Sequence, residues 1–387
     1  MEKIYFDNAA TTKVDERVIE VMIDCMRNNY GNPSSVHSFG RDARRLVEAA
    51  RSQVAKLLNA ESGEIFFTGG GTEADNLGIK GVMAANVKKG RHIISTPIEH
   101  HAVLHSLDYL KKTGCEVTML TVDEYGMINP EELKNAIRPD TVLVSIMFAN
   151  NEVGTVQPVA EIGAICRERG VYFHTDAVQA VGNVPIDVKA LNIDLMPLSG
   201  HKFNASKGIG ALYVRKGVRI LPVQHGGSHE RNLRAGTENV PGIVGLGKAA
   251  EIAAAEMNEK IVRVTNLRDK LISGIINAVP YVKLNGHPEK RLPGNVNFSF
   301  RFIEGESLLL NLDLKGVAAT SGSACTSGTL DPSHVLLAMG MSHEVAHGSL
   351  RLTIGKYNTM HDVEYCLEVL PEIVIRLRQM SPLYEGI

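Results

Sequence analysis

No stretch of the 387-residue chain reaches the ~18 consecutive apolar residues that a membrane-spanning helix needs. No Lys/Arg block stands out and the formal charge is −2, so the basic face of a nucleic-acid binder is missing. The segment Met1 to Asp7 lacks an apolar core, and no secretory signal is expected. The five cysteines (Cys25, Cys115, Cys166, Cys325 and Cys366) lie far apart with no Cys-x-x-Cys among them. Such an odd, scattered set argues against a disulfide framework or a structural zinc site, and points to a reducing cytoplasm. Internal repeats and low-complexity tails are absent as well. What remains, with 44% hydrophobic and 22% charged residues, is the composition of an ordinary soluble globular protein. The length suits two domains better than one core.

From about residue 60 to 215, strand-like and helix-like segments alternate. Strands are expected at 64–68, 92–95, 117–122, 141–148, 171–175, 195–199 and 209–214. Helices are expected at 72–85, 101–112, 130–137 and 159–169. The run Thr141 to Phe148 is continuously apolar, as in a central strand buried on both faces. This alternation implies an α/β fold with a mostly parallel sheet. A Gly-rich polar stretch, His225 to Pro241, breaks the pattern, and a long helix over roughly 242–278 bridges two domains. Strands at 295–302 and 350–354, with helices at 306–314 and 361–379, make up a smaller α+β unit. The expected division is 15–255 for the large domain, with 1–14 and 256–387 forming the small one.

Three constellations carry chemistry. Thr68-Gly69-Gly70-Gly71-Thr72-Glu73 lies between a strand and a helix. Glycines let the backbone approach an anion, and the helix start offers unpaired N–H groups; a tight turn capped by Thr72 is the other reading. No Gly-Lys-Thr/Ser follows, so it is not a Walker loop. The second set is Asp176, Gln179, Ser199, His201 and Lys202, at the carboxyl ends of two strands, where open α/β sheets place ligands. An Asp at one strand end and a Ser-x-His-Lys about two dozen residues on is the layout of a pyridoxal phosphate pocket. The lysine holds the cofactor as a Schiff base, and the aspartate keeps the pyridine nitrogen protonated. Third, Thr320 to Gly328 consists almost wholly of small residues around Cys325. It reads either as a mobile nucleophile that visits a substrate or as a surface loop with an incidental thiol. A competing motif, His343-Glu344-Val345-Ala346-His347, matches the H-E-x-x-H signature of zinc peptidases. No metzincin-type third histidine follows it, although Glu364 and Glu368 are candidate distal ligands.

Together these residues resemble the NifS/IscS-type cysteine desulfurases, in the class V aminotransferase-like group of fold-type I pyridoxal phosphate enzymes. The resemblance runs nearly end to end, through Tyr5 to Thr12, Tyr30 to Ser35, Ala149 to Gly154, Ser199 to Lys202 and Arg234 to Thr237. Its most discriminating piece is Ser321-Gly322-Ser323-Ala324-Cys325. It implies that Lys202 forms the Schiff base, Asp176 pairs with the pyridine nitrogen, and Gln179 and Asn151 lie near the phenolic oxygen. It implies that His100, or its neighbour His101, stacks on the ring. Gly71, Thr72, Ser199 and His201 then hold the phosphate, with Thr237 coming from the other subunit of a homodimer. Arg351, helped by Asn151, clamps the substrate carboxylate, a bidentate task that suits arginine.

By the same resemblance, the chain converts L-cysteine to alanine, leaves the sulfur as a persulfide on Cys325, and supplies an iron–sulfur scaffold protein or another acceptor. Selenocysteine lyase and a desulfurase for tRNA thiolation are the nearest alternatives. A protein that only relays sulfur and a zinc peptidase through His343 and His347 are the distant ones. The chain departs from the family at Phe203-Asn204-Ala205-Ser206, where Gly-Pro is usual after the lysine, and at Gly71, where alanine is usual. It also ends soon after Ser381-Pro382-Leu383-Tyr384, whereas some members carry a longer scaffold-docking tail.

Overall fold

A computed structural model describes residues 3–321, 332–382 and 384. In chain order the elements are β1 (Ile4–Tyr5), α1 (Glu16–Asn28), α2 (Ser38–Leu57), β2 (Ile65–Thr68), α3 (Gly71–Ala85), β3 (His92–Ser95), α4 (His101–Lys112) and β4 (Glu116–Met119). Then come α5 (Pro130–Ala136), β5 (Thr141–Ser145), α6 (Val159–Arg169), β6 (Tyr172–His174), β7 (Leu195–Ser199) and β8 (Gly210–Val214). The rest comprises α7 (Val240–Ala278), β9 (Val282–Leu284), β10 (Asn295–Phe300), α8 (Gly305–Leu314), β11 (Val317–Ala318), α9 (His334–Ala338), α10 (His343–His347), β12 (Ser349–Thr353) and α11 (Met360–Gln379).

Seven strands form one sheet in the order β2-β8-β7-β6-β5-β3-β4. β8 is antiparallel to both neighbours, and the other pairings are parallel. All five residues of β5, β7 and β8 are buried. That is what a sheet covered by helices on both faces demands, and it explains the unbroken apolar runs in the sequence. The expected strand at 141–148 leaves the ladder after Ser145 but stays buried. Its N–H groups are not orphaned: those of Ile146 and Phe148 donate to the carbonyls of His174 and Asp176, 3.1 and 2.8 Å away.

Local signals set the helix ends. Asp15 and Asn129 cap α1 and α5, the latter with Pro130 in its first turn, and Gly170 takes a left-handed φ of 63° to close α6. The long helix α7 packs its first half on α1 and α2, where a Cβ at Gly247 would lie 2.6 Å from the Ala50 backbone. Its second half contributes Val264, Leu267, Leu271 and Ile275 to a separate apolar core. That core also holds Ile4, Phe6, the buried faces of β10 and β12, and α11. A three-stranded antiparallel sheet, β12-β10-β9, and the parallel pair β1-β11 complete this half. Among the described residues, no helix is long and apolar enough to cross a membrane.

Candidate active site

The carboxyl ends of β5, β6 and β7 and the start of α3 converge on a cavity of about 330 Å³. Into it the fold brings Gly71, Thr72, His100, Asn151, Asp176, Gln179, Ser199, His201, Lys202 and Arg351. Asp176 is 6% exposed, and its carboxylate accepts the Val178 N–H at 2.9 Å. Burial pushes this carboxyl up from its ordinary value, while His100 and Lys202 pull it down. Lys202 ends a short 3₁₀ turn, Gly200–Lys202, directly after β7. Its Nζ donates to the carbonyls of Ala9 and Ala10, at 2.5 and 2.9 Å, and Gln179 Nε2 also donates to Ala9 at 2.9 Å. The segment after β1 is thus tied to the ends of both central strands. His201 lies 3.2 Å from the Thr11 hydroxyl through Nδ1, and burial together with the Lys202 charge pushes its imidazole down to about 4.

The glycine-rich turn reads as an anion cup. The cap position of α3 is Gly70, which has no side chain to bond the first-turn N–H groups. Those groups remain free for a phosphate, with the helix dipole behind them. Gly71 faces a tight wall: a Cβ there would meet Val178 Cγ2 at 2.7 Å and Ser199 Cβ at 3.5 Å. The Gly71→Ala change, toward the residue usual in the family, is therefore an overpacking change in this chain. We expect it to cost about 1–3 kcal/mol. It should lower the midpoint of chemical denaturation and weaken cofactor retention on dialysis, and Val178→Ala in the same chain should restore both.

His100 caps α4, its Nδ1 accepting the Ala102 N–H at 3.1 Å, and burial pushes the imidazole below its ordinary value. The two adjacent histidines differ in position. His100 lines the cavity, while the ring of His101 packs against those of His105 and His334, with centroids 5.1 and 4.8 Å away. Arg351, in β12, is 3% exposed. It donates to the Asn151 carbonyl at 2.9 Å and to Asp7 at 3.1 Å, while its Nε is buried with no partner among the described residues. A planar carboxylate is the natural acceptor for such a group.

Thr237 is exposed and does not line this cavity in its own chain. Cys325 lies outside the described residues. Thr320, among the described residues that precede it in sequence, forms a backbone bridge with Arg351. Of the other cysteines, Cys25, Cys166 and Cys366 are buried and Cys115 is half-buried, and burial pushes the Cys366 thiol up to about 12. His343 and His347 sit on a five-residue helix, α10, and both are exposed. Among the described residues, no group of three or more His, Cys, Asp or Glu side chains is arranged to hold a metal ion. Two functional neighbours escaped the sequence reading. Asp75 lines the cavity, one helical turn beyond Gly71, and its signal is an acidic residue on an otherwise apolar face of α3. Asp7, which holds Arg351, is brought there only by the tertiary fold.

These residues fit pyridoxal phosphate: an uncapped helix start and a side-chain-free floor for the phosphate, an amine at Lys202, and a buried carboxylate at Asp176. When bound, that cofactor supplies a covalent hold on an amine and a sink for electrons. Comparison with known proteins agrees. The Aminotransferase class-V family matches residues 4–366. The chain is 59% identical to "Cysteine desulfurase IscS" of Methanosarcina thermophila, over 98% of this chain and 94% of that protein. It is 55% identical to the protein of the same name from Clostridium botulinum strain Hall, over 99% and 97%. A solved structure titled "NIFS-LIKE PROTEIN" superposes with a TM-score of 0.91 at 43% identity, covering 97% of this chain and all of that one.

Proposed function

The chain belongs to the class-V aminotransferase family, and from that premise we propose that it is a pyridoxal-phosphate-dependent cysteine desulfurase. The reading is carried by one juxtaposition: Lys202, Asp176 and the buried Arg351 share a single cavity beside an uncapped helix start. In this reading Gly71, Thr72, Ser199 and His201 hold the phosphate, Asp176 the pyridine nitrogen, and Gln179 and Asn151 the phenolic oxygen, with His100 against the ring.

The substrate's carboxylate displaces Asp7 from Arg351 and takes a bidentate contact that includes the unpartnered Nε. This fixes L-cysteine with its Cα near Lys202. Lys202, no longer bonded to the cofactor, accepts the Cα proton on Nζ and delivers it to Cβ once the sulfur has left; the proton of the substrate thiol, released as the persulfide anion forms, returns through the same Nζ to Cα. The Cys325 thiolate attacks the substrate sulfur. A bond forms between the two sulfurs, the substrate Cβ–S bond breaks, and its electron pair stays with the carbon fragment that leaves as alanine. The persulfide on Cys325 then passes to an acceptor, for which an iron–sulfur scaffold protein is the proposed partner.

A homodimer in the cytoplasm is part of the same proposal. Tyr30 and Phe39 are 73% and 53% exposed with ring centroids 5.6 Å apart, and Val36 is 89% exposed. This apolar surface suits a second copy, which would in turn bring Thr237 to the neighbouring phosphate cup.

The test is an assay of L-cysteine turnover for sulfide and alanine in equal amounts, on protein whose visible band is abolished by borohydride. In a single turnover, Cys325→Ser should lose alanine release. Release at the normal rate would remove Cys325 from the mechanism.

A further inference from the structure

Behind Asp176 lies a second buried carboxyl that the mechanism above does not use. Asp75, on α3, is 1% exposed and lines the same cavity. Among the described residues its Oδ1 has no hydrogen-bond partner, and neither has Nε2 of His174, a fully buried residue at the end of β6. The two orphaned atoms are 3.5 Å apart. On its other side, His174 Nδ1 lies 2.9 Å from the hydroxyl of Ser145, the last residue of β5. Two orphaned polar atoms in one dry contact cost more than either would alone, unless a proton lies between them.

The charges nearby decide where that proton sits. Asp75 faces Asp176 and Glu99, both buried, and no cation of the described residues pairs with it except His174 when protonated. Glu99 accepts the Thr96 hydroxyl and the Met147 N–H, and burial pushes it up to about 8. Ionising Asp75 would set a second anion against Asp176 in the same low-dielectric pocket, and desolvating each ion costs several kcal/mol. Burial pushes Asp75 well up from the ordinary carboxyl value and His174 down to about 3, in line with a neutral acid beside a neutral imidazole.

We propose that Asp75 is a positioning residue for Asp176: it carries a proton, facing the unprotonated Nε2 of His174, and thereby leaves Asp176 the sole anion at the pocket floor. The proposal rests on the cofactor reading of the cavity and extends it to the pocket floor. With one anion there, the pyridine proton has a single acceptor. With two, mutual repulsion would raise the proton affinity of Asp176 and draw that proton away from the ring.

Two measurements on the holoenzyme test this. In ¹⁵N-histidine-labelled protein, with His174 assigned through His174→Gln, the ring should be neutral and protonated at Nδ1. An Nε2–H tautomer or an imidazolium would overturn the proposal. The infrared difference spectrum between wild type and Asp75→Asn should lack a protonated-carboxyl carbonyl stretch in the variant; loss of a carboxylate stretch would overturn it. The pH midpoint of the visible band adds a readout that separates a neutral Asp75 from an anionic one. Exchanging one neutral group for another in Asp75→Asn should leave it in place, whereas removing an anion would shift it down by about half a unit or more. Should Asp75→Asn fail to fold, the histidine tautomer in wild type still decides. If the borohydride-sensitive band is absent altogether, the cofactor reading fails, and the state of His174 continues to report on Asp75.

Discussion

Lys202→Ala is expected to lower both sulfide and alanine formation by at least about 10³-fold. The size follows from the two tasks that meet on one Nζ. It holds the cofactor covalently, and it moves the proton between Cα and Cβ of the substrate; positioned acid–base catalysis alone contributes about 10²–10⁴. Among the described residues, no other lysine lines the cavity. Lys260 is tied to the carbonyl of Gly182 and the side chain of Asn183, at 2.9 and 2.8 Å, and does not line the main cavity. The variant should still take up cofactor, because the phosphate cup at Gly70 and Gly71 and the Asp176 carboxylate are untouched. That cofactor should leave on prolonged dialysis and should not be fixed to the protein by borohydride. Added small primary amines should restore part of the proton-transfer rate, in proportion to their basicity. Turnover within tenfold of wild type would mean that Lys202 performs neither task.

The main lines of this pocket are visible in the residues because they depend on local rules. The strands His92–Ser95 and Leu195–Ser199 and the helices His101–Lys112 and Val159–Arg169 appear with the bounds their patterns predict. Each is a short apolar run or an amphipathic stretch closed by a cap. Boundaries move where backbone partners are non-local. The run after Ser145 reads as more strand, but its hydrogen bonds go to the carbonyls of His174, the last residue of β6, and of Asp176 beyond it. Helices α1 and α2 lie ahead of the alternating region and were not anticipated, although Ala43, Val47, Ala50 and Val54 mark a buried stripe at helical spacing. Asp75 and Asp7 went unseen for a different reason. An isolated acid has no local pattern, and only the approach of β6 to α3 and of β12 to the N-terminal segment gives each a partner. Thr237 belongs to the same class, since its proposed partner lies on another copy of the chain.

The largest loss of stability is expected far from the chemistry, at Glu230→Ala. Glu230 is 5% exposed and Arg51 4%, and they form a two-armed ion pair at 2.7 and 2.8 Å. The same carboxylate accepts the Phe67 N–H at 2.8 Å, and Arg51 also donates to the Ile65 carbonyl and lies over the Phe67 ring. The pair therefore locks α2 and β2 to the loop that leads to Arg234 and Thr237. Within that loop Glu230, Arg231 and Asn232 take consecutive left-handed φ values of 45°, 56° and 69°. Each costs roughly 1–2 kcal/mol for an L-residue, so the turn persists only because its contacts over-determine it. Truncating Glu230 strands the buried Phe67 N–H and leaves the buried Arg51 guanidinium, as counter-charge among the described residues, only the long contact of its Nε to the exposed Glu48 at 3.3 Å, at about 3–5 kcal/mol, a large share of the ~5–15 kcal/mol that holds a typical domain. The denaturation midpoint should fall accordingly. Arg51→Met combined with Glu230→Leu should lose less than Glu230→Ala alone, because no unpaired charge remains. Asn232→Gly should recover part of the loss by relieving one left-handed residue. A Glu230→Ala protein within about 1 kcal/mol of wild type in a urea titration would mean that the loop does not depend on this pair.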